Sequence, residues 1–228
     1  GDAALREGRT IPRGAPFEAT YRELERNIAC RFTLTAPVTL WPFDIVKAEY
    51  LTSAAPLQAL LPASGVEAPA GLRLQLNVRA AARREDEPSA EEVAKRGDEF
   101  FASRCRTKRL RFQLLGPEAD AIALYEQMFA RVKGVYFRIL DSFGDPKAIR
   151  GAPDMLRPIG FEEEEALIPN DLRLFRGFDI LREYLSFPRK FLGFELVGLE
   201  KIMPQLKAKT FDIIFAFDEA NPRLAAAA

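Results

Sequence analysis

Ile28 to Pro42 reads IACRFTLTAPVTLWP, and its first half alternates strictly. Ile28, Cys30, Phe32 and Leu34 fall on one side of an extended chain, and Ala29, Arg31, Thr33 and Thr35 on the other. Period-2 alternation rich in β-branched and aromatic residues marks a half-buried strand. Proline has no amide hydrogen to give to a ladder and fixes its own φ, so Ala36-Pro37 interrupts that strand. Val38-Thr39-Leu40-Trp41 follows and ends at Pro42, and Phe43 to Leu51 resumes the pattern. Two prolines thus cut one apolar run into three pieces that can fold against each other. Trp41, the single tryptophan, stands at the second cut, where a large ring anchors a corner of the core. Phe32, Leu34 and Trp41 are the expected core anchors, with Cys30 beside them, and Trp41→Ala is expected to unfold the unit.

Working outward, Phe17 to Tyr21 reads as a short strand and Glu23 to Asn27 as a charged turn. Ser53 to Ala70 reads as a loop with a helical turn at Leu57 to Leu61. From Gly71, Leu72, Leu74, Leu76 and Val78 alternate with Arg73, Gln75, Asn77 and Arg79, the cleanest strand of the chain. Ser89-Ala90-Glu91-Glu92 spells a capping box, which predicts a helix over Pro88 to Ser103. Lys108 to Leu115 is a strand with Leu110, Phe112 and Leu114 inward. Glu118 to Lys133 has helical spacing, with Ile122, Tyr125, Phe129 and Val132 as a stripe widened by Leu124 and Met128. Gly134 fits its C-cap, and Val135 to Leu140 returns as a strand.

Asp141 to Pro153, rich in glycine and proline, is the expected boundary between two units, 1–145 and 146–228. In the second, Leu174 to Phe187 is an apolar helix stopped by Pro188, with Leu174, Phe178, Leu181, Tyr184 and Leu185 on one stripe. Lys190 to Val197 and Lys209 to Phe217 are strands; the latter carries Phe211, Ile213, Phe215 and Phe217 on one face. So apolar a strand needs neighbours, and with few residues after it the second unit is expected to be truncated. The fold class is α+β: mainly antiparallel, sandwich-like sheet with helices packed on it, in two successive units.

The totals exclude several functions. Thirty-three basic residues balance thirty-three acidic ones in 228, which argues against a general polyanion binder. No run approaches the ~20 apolar residues of a membrane-spanning helix. Histidine is absent, removing the commonest general base and metal ligand, and no Gly-rich phosphate motif occurs. Cys30 and Cys105 lie far apart and read as reduced, buried small hydrophobes. Glu162 to Glu165 reads as a solvated acidic segment or docking edge, since four adjacent carboxylates cannot face one point. No catalytic, cofactor-binding or metal-binding residue is therefore assigned. An alternative function rests on Arg73, Arg79, Arg109 and Arg111: if their strands are neighbours, the four share one face that could meet nucleic acid. That face lacks aromatic residues to stack on bases. Eighteen phenylalanines instead suit large protein–protein interfaces.

Five blocks in order resemble the TssF (VasA, ImpG) family of type VI secretion baseplate subunits. They are Thr10 to Gly14; Cys30 to Thr35 with Val38 to Pro42; Ala123-Leu124-Tyr125; Leu156-Arg157-Pro158-Ile159-Gly160-Phe161-Glu162 with Glu165 to Leu167; and Leu181 to Phe191. Family members are longer, so the resemblance implies a middle fragment, with Ala81 to Ser103 as a variable insertion. It implies a scaffold without catalysis, in wedges that seed the contractile tail in the bacterial cytoplasm, at the cytoplasmic side of the inner-membrane complex. Implied partners are TssG, TssK, TssE and a second TssF copy, with no small-molecule substrate, nucleic acid or membrane insertion. Candidate partner-interface residues are Arg157, Pro158, Phe161, Glu162, Tyr184, Phe187, Pro188 and Phe191.

Overall fold

The computed structural model describes Arg6 and residues 8–23, 26–62, 64–79, 101–168 and 175–227. Strand β1 (Arg9–Ile11) precedes a hairpin of β2 (Pro16–Glu23) and β3 (Arg26–Thr33), followed by β4 (Val38–Leu40) and β5 (Phe43–Leu51). Helix α1 (Ala54–Leu60) leads to β6 (Ala70–Val78), and β7 (Arg109–Gln113) leads to helix α2 (Glu118–Ala130). Strands β8 (Val132–Leu140) and β9 (Pro146–Arg150) form a second hairpin, before β10 (Leu156–Pro158) and helix α3 (Arg176–Ser186). Strands β11 (Gly193–Val197) and β12 (Thr210–Phe217) and helix α4 (Pro222–Ala227) complete the order. Among the described residues all strand pairings are antiparallel, and the class is α+β as the sequence implied.

The core is built on β12, the middle strand of a five-stranded sheet ordered β5-β6-β12-β8-β9. Phe211, Ile213 and Phe215 lie opposite Leu76, Leu74 and Leu72 of β6. With Phe217 they point to one face, where all four are buried. A second sheet, ordered β10-β11-β7, packs across that face: Phe194 meets Phe215 edge-on, ring centroids 5.4 Å apart. Leu110, Leu196 and Met128 of α2 join the same cluster. Each such side chain contributes about 1.5–3 kcal/mol by leaving water. On the opposite face, Leu57 of α1 and Leu61 cover Ile214 and Ala216.

Asp212 also points to that opposite face and is buried. Its carboxylate accepts hydrogen bonds from Arg73 Nε at 3.0 Å, Gln75 Nε2 at 3.1 Å and Arg138 Nη1 at 2.7 Å. Gln75 and Arg138 are its register partners on β6 and β8, so one carboxylate stitches three strands together.

Several expectations are corrected. The boundary at 145/146 falls within the β8–β9 turn, which Asp141 closes by accepting the amides of Phe143 and Asp145. Both sheets take strands from each side of that point, β12 beside β6 and β8, and β11 beside β7, so the two expected units share their sheets. Strand β12 is accordingly flanked on both edges, by β6 and β8. The three pieces cut by Pro37 and Pro42 do not fold against each other: β3 pairs with β2, β4 with β1 and β5 with β6. Phe32 is not a core anchor. It is 47% exposed, because β2 and β3 form a two-stranded ribbon on which no second layer packs among the described residues. Leu34 and Cys30 are half-buried for the same reason, whereas Trp41 is half-buried against the main core. Helix α2 turns Ala121, Ala123, Gln127 and Met128 inward and leaves Ile122 and Phe129 exposed. Arg131, not Gly134, caps it, and Gly134 lies inside β8. The helix predicted over Pro88 to Ser103 falls mostly outside the described residues; Ala102–Arg104 form a 3-10 turn.

Candidate partner-docking surface

Helix α3 is inside out. Phe178, Leu181, Tyr184 and Leu185 recur at helical spacing, a pattern that ordinarily faces a core. In the structure all four are exposed, with Leu185 at 75%, and Phe175 and Phe187 at the helix ends are exposed as well. The buried positions are Asp179 and Glu183. Among the described residues, six large apolar side chains thus stand in water around an 11-residue helix. Exposed apolar patches of this kind mark interaction sites rather than solvated surface.

A buried polar seat holds the helix this way round. Glu183, 3% exposed on its side chain, forms an ion pair with the buried Lys190. The same carboxylate accepts the amides of Leu167 at 2.8 Å and Ile168 at 2.9 Å. It therefore caps an incoming loop whose amides would otherwise lack partners. Burial pushes the Glu183 carboxyl up, but the Lys190 hydrogen bond and the two amides outweigh it and hold the group below the ordinary glutamate value. The Lys190 ammonium also lies 5.1 Å from the centre of the Phe191 ring.

The turn before this seat is fixed by Glu165, the last of the acidic run. Its Oε2 accepts the amides of Gly160 at 2.7 Å and Glu162 at 3.0 Å, and its Oε1 pairs with Arg111 of β7. Gly160 has φ +95° and lies against the Phe191 ring, a conformation and clearance that favour glycine. On the far side, Gln113 Nε2 donates to the carbonyls of Arg189 and Leu192 and ties the 188–192 turn to β7.

The predicted interface residues converge in part. Phe161 and Tyr184 both pack on Phe191, centroids 5.1 and 5.8 Å away. Phe191 is buried, so it supports that surface from beneath and offers little to a partner. Arg157 and Pro158 are exposed on β10, the edge strand of the small sheet. Glu162 is exposed and caps the 3-10 turn Glu163–Glu165; Pro188 is half-buried and opens the next one. Phe187 is exposed at the α3 C-cap. Sequence reasoning missed Glu183, Lys190 and Asp179, and it did not assign Phe178, Leu181 and Leu185 to the interface. Charges seven residues apart beside an apolar stripe carry no sign of which face is buried. Leu174 lies outside the described residues.

The arginine face does not form. Strands β6 and β7 belong to different sheets, so Arg73 and Arg79 are not on a face with Arg109 and Arg111. Each of the four also meets a carboxylate: Arg73 Asp212, Arg79 Asp44, Arg109 Glu195 and Arg111 Glu165. Nucleic-acid binding loses its geometric basis. Among the described residues no group of three or more His, Cys, Asp or Glu is placed to hold a metal ion. No described helix is long and apolar enough to cross a membrane.

Comparison with known proteins agrees with the resemblance. A family model described as "Type VI secretion system, TssF" matches residues 1–228. The chain belongs to the TssF family. It is 29% identical over 223 residues to the type VI secretion system component TssF1 of Pseudomonas aeruginosa, covering 98% of this chain and 32% of that protein. It therefore spans about a third of that TssF relative. Its fold matches a chain in a cryo-electron microscopy structure of the TssK-TssF-TssG baseplate subcomplex, with a TM-score of 0.68 at 22% identity. That match covers 96% of this chain and 35% of the other.

Proposed function

We propose that this chain is a scaffold segment of a type VI secretion baseplate wedge, holding neighbouring subunits by surface complementarity and carrying out no reaction. Family membership over the whole chain supports the baseplate role. The observation that carries the docking role is the inverted helix α3, whose apolar side chains face outward over a rigid polar seat. The surface comprises Phe178, Leu181 and Leu185, with Phe161, Tyr184 and Phe187 beside them, and Arg157, Pro158, Glu162 and Pro188 at its rim. Phe191 holds it up from below. The partners this reading implies are TssG and TssK, the proteins that stand with TssF in the matched complex, together with TssE and a second TssF copy. It places the assembly in the bacterial cytoplasm, against the inner-membrane secretion complex.

The test is co-purification of the parent protein with TssG and TssK, comparing wild type with a Leu181→Glu, Leu185→Glu variant. Both positions are exposed, so the fold is retained and the melting temperature should move by less than about 2 °C. Retention of at least one partner should fall tenfold or more, and secretion with it. A folded variant with unchanged retention and secretion would remove α3 from the interface.

A further inference from the structure

Beneath the outward face of α3 lies a cleft that the polar seat does not fill. It opens between the helix and the 160–168 turn, with a volume of about 330 Å³. Asp179 and Glu183 line it from the helix, and Glu162 and Glu163 from the turn. Lys190 is the one cation among its described lining residues, so four carboxylates meet one ammonium and the lining carries a net charge of −3. That ammonium is already committed to Glu183, whose carboxylate also holds the Leu167 and Ile168 amides.

Asp179 is not satisfied in this way. It is only 7% exposed, and Arg182 Nη2 donates to its Oδ1 at 3.0 Å. Its Oδ2 is buried and has no hydrogen-bond partner among the described residues. A buried carboxylate oxygen without a donor is costly, and native proteins keep few of them. The walls of the cleft say which donor fits. Ala166, Ile168 and Ile180 are apolar, and Phe161 adds an aromatic ring that is 42% exposed. Apolar walls beside a carboxylate suit a long side chain that buries its stem and carries a charge at its tip. Guanidinium suits the place better than ammonium, because it is more weakly hydrated, keeps its charge when buried and stacks on aromatic rings. A metal ion does not fit, since no group of three or more described carboxylates is placed to hold one. The cleft is continuous with the docking surface of α3, because Phe161 and Glu162 belong to both.

We propose that, given the docking role of α3, this cleft receives an arginine side chain of the protein that docks there, its guanidinium donating to Asp179 Oδ2.

The experiment co-purifies the parent protein with TssG and TssK, comparing wild type, Asp179→Asn and the Leu181→Glu, Leu185→Glu variant. Asp179→Asn keeps the side-chain size and an acceptor for Arg182 and removes only the charge. Its melting temperature should fall by no more than about 2 °C, while retention of one partner falls about tenfold. Ethylguanidinium, the tip of an arginine side chain, should release that partner from wild type where sodium chloride of equal ionic strength does not. This second measurement needs no substitution, so it decides the matter if Asp179→Asn fails to fold. Full retention by folded Asp179→Asn, with loss in the double leucine variant, overturns the arginine contact and leaves the docking role of α3 standing. Release by ethylguanidinium no greater than by sodium chloride overturns it too. Full retention by both variants removes the docking role and the arginine contact together.

Discussion

Replacing Glu183 by Gln keeps the side-chain size and removes the charge that seats α3. The buried Lys190 ammonium then has no counter-charge, and the amides of Leu167 and Ile168 share a single weaker acceptor. Breaking a buried ion pair from one side costs about 3–5 kcal/mol. The low end applies, because the ammonium keeps its position over the Phe191 ring. For a chain of 228 residues, with about 2–4 °C per kcal/mol, the melting temperature should fall by about 6–12 °C. Circular dichroism measures the melt, and hydrogen exchange should show the Leu167 and Ile168 amides losing protection first. The pH dependence has a definite sign. The folded-state pKa of Glu183 lies below its unfolded value, so its stabilisation is complete above about pH 4.3 and is lost as pH falls through the folded value. Wild type and variant should therefore differ most at neutral pH and converge in acid. A variant melting within about 2 °C of wild type, with both amides still protected, would refute the seat. The double change Glu183→Leu, Lys190→Met should recover much of the loss, since an apolar pair leaves no stranded charge.

Asp212→Ala strands Arg73 and Arg138 on a buried sheet face and should cost about 3–5 kcal/mol in a denaturant titration. Gly160→Ala forces a methyl to within 2.9 Å of Phe191 at φ +95°. It should cost about 1–3 kcal/mol and loosen the Phe161–Phe191 contact, measurable by melting and by aromatic ring shifts in NMR. Trp41→Ala should cost about 2 kcal/mol rather than unfold the protein, because the ring is only half removed from water; a thermal melt decides it.

The parts of this fold that sequence shows are those where the period of the side chains and the burial agree. In Leu72 to Val78 the alternating apolar residues are the buried ones, and Phe211, Ile213, Phe215 and Phe217 are buried on the one face their spacing gives them. What sequence does not carry is which layer meets a given face. The apolar face of Ile28, Cys30 and Phe32 and the stripe of Phe178, Leu181 and Leu185 look like core by pattern alone. Their exposure follows from distant partners: among the described strands β2 pairs with β3 alone, and Glu183 finds amides at 167 and 168. The neighbours of β12 were hidden for the same reason, since its register with β6 joins Thr210 to Asn77 across most of the chain.

That long-range closure has a kinetic consequence. Strands β6 and β8 are made before β12, yet they cannot complete the large sheet until β12, which lies between them, has emerged. Until then the edge of each that β12 fills stays open, and Leu72, Leu74 and Phe137 lack the strand they pack beside. Sheets closed by distant strands fold slowly and expose aggregation-prone surface meanwhile. A nascent chain released before Phe217 should therefore be a substrate for chaperones, and shortening the chain into β12 should raise the fraction recovered as aggregate.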